Sequence, residues 1–336
     1  MVAVRDFEEF ARLLVAKRVI VGYSKVLKQV YVADENKVAY VAKVLDEGGY
    51  GDYKVVVTGE FTALSETPPL AQPPPRTGKI RPLVAGISFG HRDITAGTLS
   101  GLADDGTNYY LISNAHIVHP YPLSPYPPHN KGVWQPGPYD TAYDFANENE
   151  YKVGEYYAHV RVRSIYDYSQ CPITKTLNAL YKALGRHSFI VTQTPNYVDL
   201  GLAKLIGGIP FEKTTYAVKY LGFTEELLKK PFIGLLFAGT RMGHAAICKV
   251  AKYWKRYFPN IKIAFPETLG EDVTAENVVV KDGRTSGLTI AGILDPAAAV
   301  SVGYGLDIAW FEDVILTTTD AKASGGDSGS PTWIWK

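Results

Sequence analysis

GGDSGSP, residues 325–331, is the stretch on which the reading of this chain turns. It sets Ser328 directly after Asp327, with Gly326 and Gly329 on either side. Glycine lets a backbone turn tightly enough for two amides to face a single oxygen. The amides of Gly326 and Ser328 can then form an oxyanion hole, and each such donor contributes about 2.7–4 kcal/mol to acyl transfer. A serine hydroxyl is a poor nucleophile until a neighbouring base takes its proton. A reactive Ser328 therefore requires a base from elsewhere in the chain, and an acid to orient that base.

SNAHIV, residues 113–118, supplies His116 at the end of a predicted strand, where an imidazole can overhang a cleft. NYVDLGLAKL, residues 196–205, puts Asp199 in an apolar strand. A buried, unpaired carboxylate costs several kcal/mol, so Asp199 needs a partner such as an imidazole N–H. Asp140 and Asp144 are alternative acids on a neighbouring loop, although Asp140 is better explained as closing the QPGPYD turn. His119 makes an H-x-x-H pair with His116, but no third ligand is spaced to complete a metal site, and none is expected. The other histidines, His91, His129, His159, His187 and His244, read as surface or loop residues.

The order His116, Asp199, Ser328, with these flanks, resembles the chymotrypsin-fold serine peptidases, whose triad spans two β-barrels. The resemblance implies that His116 is the general base, Asp199 its orienting acid and Ser328 the nucleophile. Chain order excludes the α/β-hydrolase arrangement, in which serine comes first, and the subtilisin one, in which aspartate does. RTGKIRPLVAGISFGHRDITAGTL, WQPGPYD at 134–140 and GRTSGLTIAGIL at 283–294 are similar to a narrower trypsin-like subgroup of prokaryotes and plants, the narrow-leaf type. Members of that subgroup often carry a small α+β domain ahead of the Arg-Pro segment.

Working outward, residues 1–66 read as a small α+β module. Asp6 and Glu9 form a capping box, and Phe7, Phe10, Leu13 and Leu14 recur at helical spacing. RVIVGYSKV, KVAYVAKVL and YKVVVTGEF read as strands between the Asp34-Glu35-Asn36 and Gly48-Gly49 turns. Residues 67–79 hold Pro68, Pro69, Pro73, Pro74 and Pro75 and read as an extended connector. From Ile80 the signal is mainly β. Residues 80–205 are assigned to a first barrel, with a hairpin turning at Asp105-Gly106, an irregular loop over 120–150 and a helix carrying Ile173, Leu177, Leu180, Tyr181 and Leu184. Residues 206–336 are assigned to a second barrel, with a short helix after Thr224 and a clearer one carrying Val250, Tyr253, Trp254, Tyr257 and Phe258.

The chain has only eight residues beyond Ser328, where chymotrypsin-like barrels need two more strands and a helix. An open barrel leaves unpaired edges. Either the sequence is part of a longer protein, or the missing pieces lie upstream. PFIGLLFAGTRMGHAAICKVAKYWKRYF, residues 231–258, resembles the strand, turn, strand and helix that usually follow GDSGS in this subgroup, so a rearrangement pairing 232–240 beside the strand after Ser328 is expected. Lys322, six residues before the nucleophile, is then the candidate pocket floor and favours acidic side chains on the substrate. Phe237, Ala238 and Gly239 are the candidate pocket wall.

Composition sets the outer limits. The chain has 336 residues, 46% hydrophobic and 21% charged, and a net charge of +1, so it lacks the basic field that holds a nucleic acid. No apolar run approaches the ~18 residues of a membrane helix, and the acidic MVAVRDFEEF start lacks the form of a secretion signal. A cytoplasmic location is expected. Two cysteines, Cys171 and Cys248, read as reduced thiols, a bridge between them being admissible in a hyperthermophile, and the five glutamines and two methionines fit such a source. No phosphate-binding glycine loop is present, and no cofactor is expected. The leading function is a serine endopeptidase acting on polypeptides. The alternatives are a catalytically silent binding protein, with the TWIWK tail lying in the cleft, and a self-processing protease. The amino-terminal module is a candidate surface for a partner protein or for self-association.

Overall fold

The structure is a computed structural model that describes residues 7–63, 75–165, 172–185, 195–270 and 272–335. Asp6, Cys171, His187 and the prolines at 68, 69, 73 and 74 lie outside the described residues, and with them the first capping residue and the admissible Cys171–Cys248 bridge. The chain is mainly β, and its described residues form a first sheet of eight strands, a second and larger sheet of ten, and a separate two-stranded pair.

The amino-terminal unit begins with helix α1 (Phe7–Ala16), which buries Phe7, Ala11, Leu14 and Val15 on one face. Strands β1 (Gly22–Ser24) and β2 (Gln29–Val32) pair antiparallel, helix α2 (Val38–Glu47) follows, and β3 (Lys54–Val57) returns parallel to β2. The α2 segment corrects the sequence reading, in which KVAYVAKVL was a strand. Val41 and Leu45 are buried four residues apart, while Tyr40, Ala42, Lys43, Asp46 and Glu47 face solvent. That spacing matches a helical repeat, which here outweighs the strand preference of the valines. Strand β4 (Phe61–Ala63) then leaves the unit. The unit is not set apart from the rest, because β1 pairs antiparallel with a strand of the second barrel, Gly22 opposite Val300.

The half assigned above to a first barrel contains β5 (Leu83–Ala85), β6 (Ser88–His91), β7 (Gly97–Thr98), β8 (Gly101–Asp104) and β9 (Tyr109–Ser113). After the one-turn helix α3 (Ala115–Val118) come β10 (Gly132–Trp134), the short α4 (Glu148–Tyr151) and β11 (Lys152–His159). Helix α5 (Pro172–Ala183) is the insert, and Ile173, Leu177, Leu180 and Leu184 on or just after it are exposed. β12 (Gly201–Leu205), β13 (Phe211–Thr215) and α6 (Tyr216–Leu221) complete this half. The β8–β9 hairpin turns through Gly106, whose φ of 86° is a conformation that glycine tolerates best.

The second barrel starts with β14 (Phe232–Gly239), β15 (Ala245–Cys248) and helix α7 (Val250–Tyr257), after which β16 (Lys262–Phe265) crosses back to pair with β8 of the first sheet. β17 (Val278–Gly283), β18 (Gly287–Tyr304), β19 (Asp307–Thr317) and β20 (Pro331–Trp335) follow. Six of these strands close a ring: β14 pairs with β20, β20 with β17, β17 with β18, β18 with β19, β19 with β15, and β15 with β14. Closure gives every strand of the ring a neighbour on both sides, although β20 covers β14 only at Phe232 and Gly234. Phe232 lies opposite Trp333 in the β14–β20 pair, so the strand after Ser328 is flanked by an upstream segment. This also corrects the idea of a tail lying in the cleft. Residues 331–335 form a wall of the ring, with Trp333 fully buried.

One apolar cluster runs between the two halves. It joins Tyr110, Leu200 and Leu202 of the first to Phe232, Phe237, Phe311 and Trp333 of the second. The ring itself is tight at Gly234, where an added Cβ would lie 1.8 Å from the Cys248 carbonyl oxygen. Gly234→Ala is therefore expected to lower unfolding stability by about 1–3 kcal/mol in a denaturant titration. Gly303→Ala, with nothing within 4 Å of the new carbon, is expected to change it by less than about 0.5 kcal/mol.

Candidate active site

Pairing of β9 with β12 sets Ser113 opposite Gly201. The residues just past the end of β9 therefore meet those just before β12. Asp199, fully buried, faces α3 there. Its Oδ1 accepts the Ala115 amide at 2.6 Å and the His116 amide at 3.3 Å. Its Oδ2 pairs with His116 Nδ1 at 2.6 Å and accepts the Tyr304 hydroxyl at 2.6 Å. Asn114 Nδ2 donates to the Asp199 carbonyl at 2.7 Å, which gives SNAH a local purpose: its asparagine fixes the acid's backbone while the next two amides cap the carboxylate. Gly201 permits the approach, since a Cβ there would lie 2.1 Å from Val118 Cγ2.

Burial pushes the Asp199 carboxyl up. The His116 charge and hydrogen bond, the Tyr304 hydroxyl and the Ala115 amide outweigh it, and the net shift is below the usual carboxylate range. The same contact, with burial as the larger cause, holds the Tyr304 hydroxyl well above the ordinary tyrosine range. With Nδ1 committed to Asp199, the other ring nitrogen of His116, Nε2, is buried and has no hydrogen-bond partner.

Ser328 stands on the second barrel. Its hydroxyl donates to the Phe237 carbonyl at 3.4 Å. The turn around it is held on both sides. The Gly329 amide donates to Leu236 O at 2.8 Å, and the Thr98 amide of β7 donates to Ser328 O at 2.8 Å. Thr98 Oγ1 also donates to the Gly326 carbonyl at 2.9 Å. Gly329, at φ 89°, needs to be glycine, because a Cβ would lie 2.3 Å from both Thr98 O and Ser113 Oγ. The Ser328 turn thus lies against β7 and against β9, the strand that leads to His116.

Asp327 is the internal anchor of that turn. Its Oδ1 accepts the amides of Thr285 and Ser286, both at 3.0 Å. Its Oδ2 accepts Ser286 Oγ at 2.6 Å, the Ser324 amide at 3.1 Å and Lys281 Nζ at 3.5 Å. Lys281 is buried, and burial pulls its ammonium below the ordinary lysine range against the pull of Asp327 and Asp282. The GRTSG turn, through Thr285 and Ser286, thus holds the aspartate beside the serine. Asp140 likewise does more than close its own turn. Its carboxylate takes a two-pronged ion pair from Arg284, with Nε to Oδ2 at 2.7 Å and Nη2 to Oδ1, and so ties the QPGPYD loop to the second barrel.

Most of the other sequence candidates take different roles. Lys322 is exposed at a left-handed backbone position, φ 47°, where its ammonium stays hydrated, and this corrects its reading as a pocket floor. Phe237 points into the core against Phe311, with ring centres 4.6 Å apart, and offers the site its carbonyl rather than its ring. Ala238 and Gly239 continue that strand and pair with β4. Both ring nitrogens of His119 serve its loop, Nδ1 accepting the Tyr121 amide and Nε2 facing the Tyr126 carbonyl. His91 and His244 are buried rather than superficial, bonded to the carbonyls of Asn130 and Thr317. Burial drives the His159 imidazole down to about 4 and the Cys248 thiol up to about 12. Beside His116 opens a cavity of 520 Å³, bordered by Ile94, Tyr121, Leu123, Tyr304 and Asp307.

No family model matches the chain, and no curated protein matches it. Among solved structures it is similar to one described as a glutamic acid specific serine protease that utilizes a histidine triad in substrate binding. The identity is 11% over 75% of this chain and 92% of that one, with a TM-score of 0.32.

Tyr304 escaped the sequence reading because nothing in GYGLD marks a tyrosine whose partner lies 105 residues away. Replacing it tests the carboxylate it serves. Tyr304→Phe is expected to cost about 1.5–3 kcal/mol at pH 7, the range for a hydrogen bond to a charged group. Because the Asp199 pKa is lowered by folding, its stabilisation is present above the ordinary carboxylate range and fades as pH falls through the folded value. The gap between variant and wild type, measured by urea unfolding, should therefore be wide at pH 7 and narrow toward pH 3. An equal gap at both would contradict the assignment.

Proposed function

We propose that the chain is a serine endopeptidase of the chymotrypsin-like, double-barrel type. His116 acts as general base, Asp199 fixes its tautomer and Ser328 attacks the scissile carbonyl. The single observation that carries this reading is the buried 2.6 Å pairing of Asp199 Oδ2 with His116 Nδ1, which leaves Nε2 as a lone-pair acceptor without a partner.

The reaction then runs as follows. As a substrate carbonyl arrives, the Ser328 hydroxyl turns from Phe237 O to His116 Nε2 and gives up its proton while Oγ bonds to the carbonyl carbon. The amides of Gly326 and Ser328 receive the developing oxyanion, in a turn that Asp327 and Thr98 keep in shape. Imidazolium returns the proton to the leaving amine, and water resolves the acyl-enzyme by the same route. Asp199 stays ionised throughout, since four donors surround it. Acidic substrate preference loses its basis with Lys322 in solvent, and the cavity beside His116 favours an apolar or aromatic neighbour through Tyr121, Leu123 and Tyr304.

A small alkyl fluorophosphonate needs only an activated serine. It is expected to add one adduct to the folded chain, mapped to Ser328 by peptide mass spectrometry. Ser328→Ala should take up none, and Asp199→Asn should react about 10⁴-fold more slowly, the penalty of the wrong imidazole tautomer. A folded wild-type chain that stays unlabelled would defeat the proposal.

A further inference from the structure

β4, in the amino-terminal unit, pairs with the strand that carries Phe237. It lies antiparallel to β14, with Thr62 opposite Gly239 and Ala63 opposite Ala238. It also lies parallel to β18, with Phe61 opposite Val302 and Thr62 opposite Gly303. β14 and β18 are not neighbours in the six-strand ring, which closes through β20 and β17 on one side and through β15 and β19 on the other. β4 therefore bridges two strands of a barrel that is already closed without it.

The edge it occupies is informative. A strand has two edges, and at Ala238 and Gly239 the first is taken by β15. β4 holds the second, the same edge that β20 holds at Phe232 and Gly234. Between them on that edge stands the nucleophile turn. Leu236 exchanges hydrogen bonds with Gly329 and Ser330, and the Phe237 carbonyl accepts the Ser328 hydroxyl. Read along β14, the edge carries β20, then Ser328, then β4. Direction matters as much as place. From Thr62 to Ala63 the partner steps back from Gly239 to Ala238, so β4 runs toward the Phe237 carbonyl and Ser328. An extended peptide laid on this edge in this direction brings its leading carbonyl toward Ser328, and strand addition to an open edge binds an extended chain without regard to sequence.

We infer that β4 is a built-in substrate mimic, which occupies the acyl-side binding edge of Ala238 and Gly239 and keeps the chain latent until it is displaced. The inference rests on the peptidase reading and concerns the regulation of that same site. The arrangement of the site agrees with a resting state, since the Ser328 hydroxyl is engaged with Phe237 and His116 Nε2 has no partner. A tethered strand competes as though present at millimolar concentration, so a free peptide reaches the edge only at a disadvantage. Phe61 supplies the hold, buried in the cluster that also contains Phe237 and Val302.

Two probes separate this inference from the reading it rests on. The alkyl fluorophosphonate needs Ser328 but not the β14 edge. A diphenyl phosphonate carrying Thr-Ala-Leu, the chain's own sequence from Thr62 to Leu64, needs both. Thr62→Pro removes an amide from β4 and loosens it. Thr62→Cys with Gly303→Cys, at paired positions and with open space at Gly303, locks it by a disulfide. The tripeptidyl probe is expected to react at least about tenfold faster with T62P than with wild type. The oxidised double-cysteine chain should be the slowest, recovering on reduction, while the fluorophosphonate labels all forms alike. Equal tripeptidyl rates in locked, reduced and wild-type chains, with normal fluorophosphonate labelling, would overturn the inference alone. Failure of the fluorophosphonate on every folded form would instead overturn the peptidase reading, and the inference with it. The locked and reduced forms decide the matter even where T62P does not fold.

Discussion

A carboxylate without access to water must be surrounded by donors, and Asp199 is surrounded by four from two distant parts of the chain. Two are backbone amides at the start of α3, one is the His116 ring, and one is the Tyr304 hydroxyl at the tip of the β18–β19 hairpin. The first three come from the first barrel and the last from the second. Satisfying one buried charge thus fixes the imidazole, positions the short helix that carries it and brings the two barrels into register at their seam.

Other polar links reinforce that seam, and they account for motifs that have no evident purpose when read singly. Thr98 of the first sheet holds the carbonyls of Gly326 and Ser328 by way of its hydroxyl and amide. Asp140 holds Arg284, and the hairpin that contains Arg284 holds Asp327. Each link is a buried charge or backbone group that must be paired where it lies. The outcome is a serine whose turn is set by groups from both barrels, beside a β14 edge that the chain's own Thr62 and Ala63 fill.

Much of this was legible in the sequence, for identifiable reasons. Glycine and aspartate around Ser328 read as a tight turn because few other residues permit one. Asp199 within VDLGLA demanded a partner because a charge in an apolar strand must have one. The helices over 7–16 and 250–257 were visible as apolar stripes, while α2 was misread because its valines favour strands and its helical period shows only once the buried face is known. Counting residues back from Ser328 gives no backbone direction, and Lys322, in a left-handed turn, stands exposed. Tyr304, the Asp140–Arg284 pair and the route of β4 were invisible, since each joins segments more than 100 residues apart and none has a local pattern.

The central claim is that His116 keeps its proton on the nitrogen facing Asp199 and leaves the other open for Ser328. Nitrogen-15 NMR of imidazole-labelled protein reads both nitrogens directly, before and after a Thr-Ala-Leu boronate bonds to the serine. The account predicts a protonated Nδ1 and a bare Nε2 in the free chain, and both nitrogens protonated once the tetrahedral adduct forms. A proton on Nε2 in the free chain, with no change when the boronate binds, would contradict it.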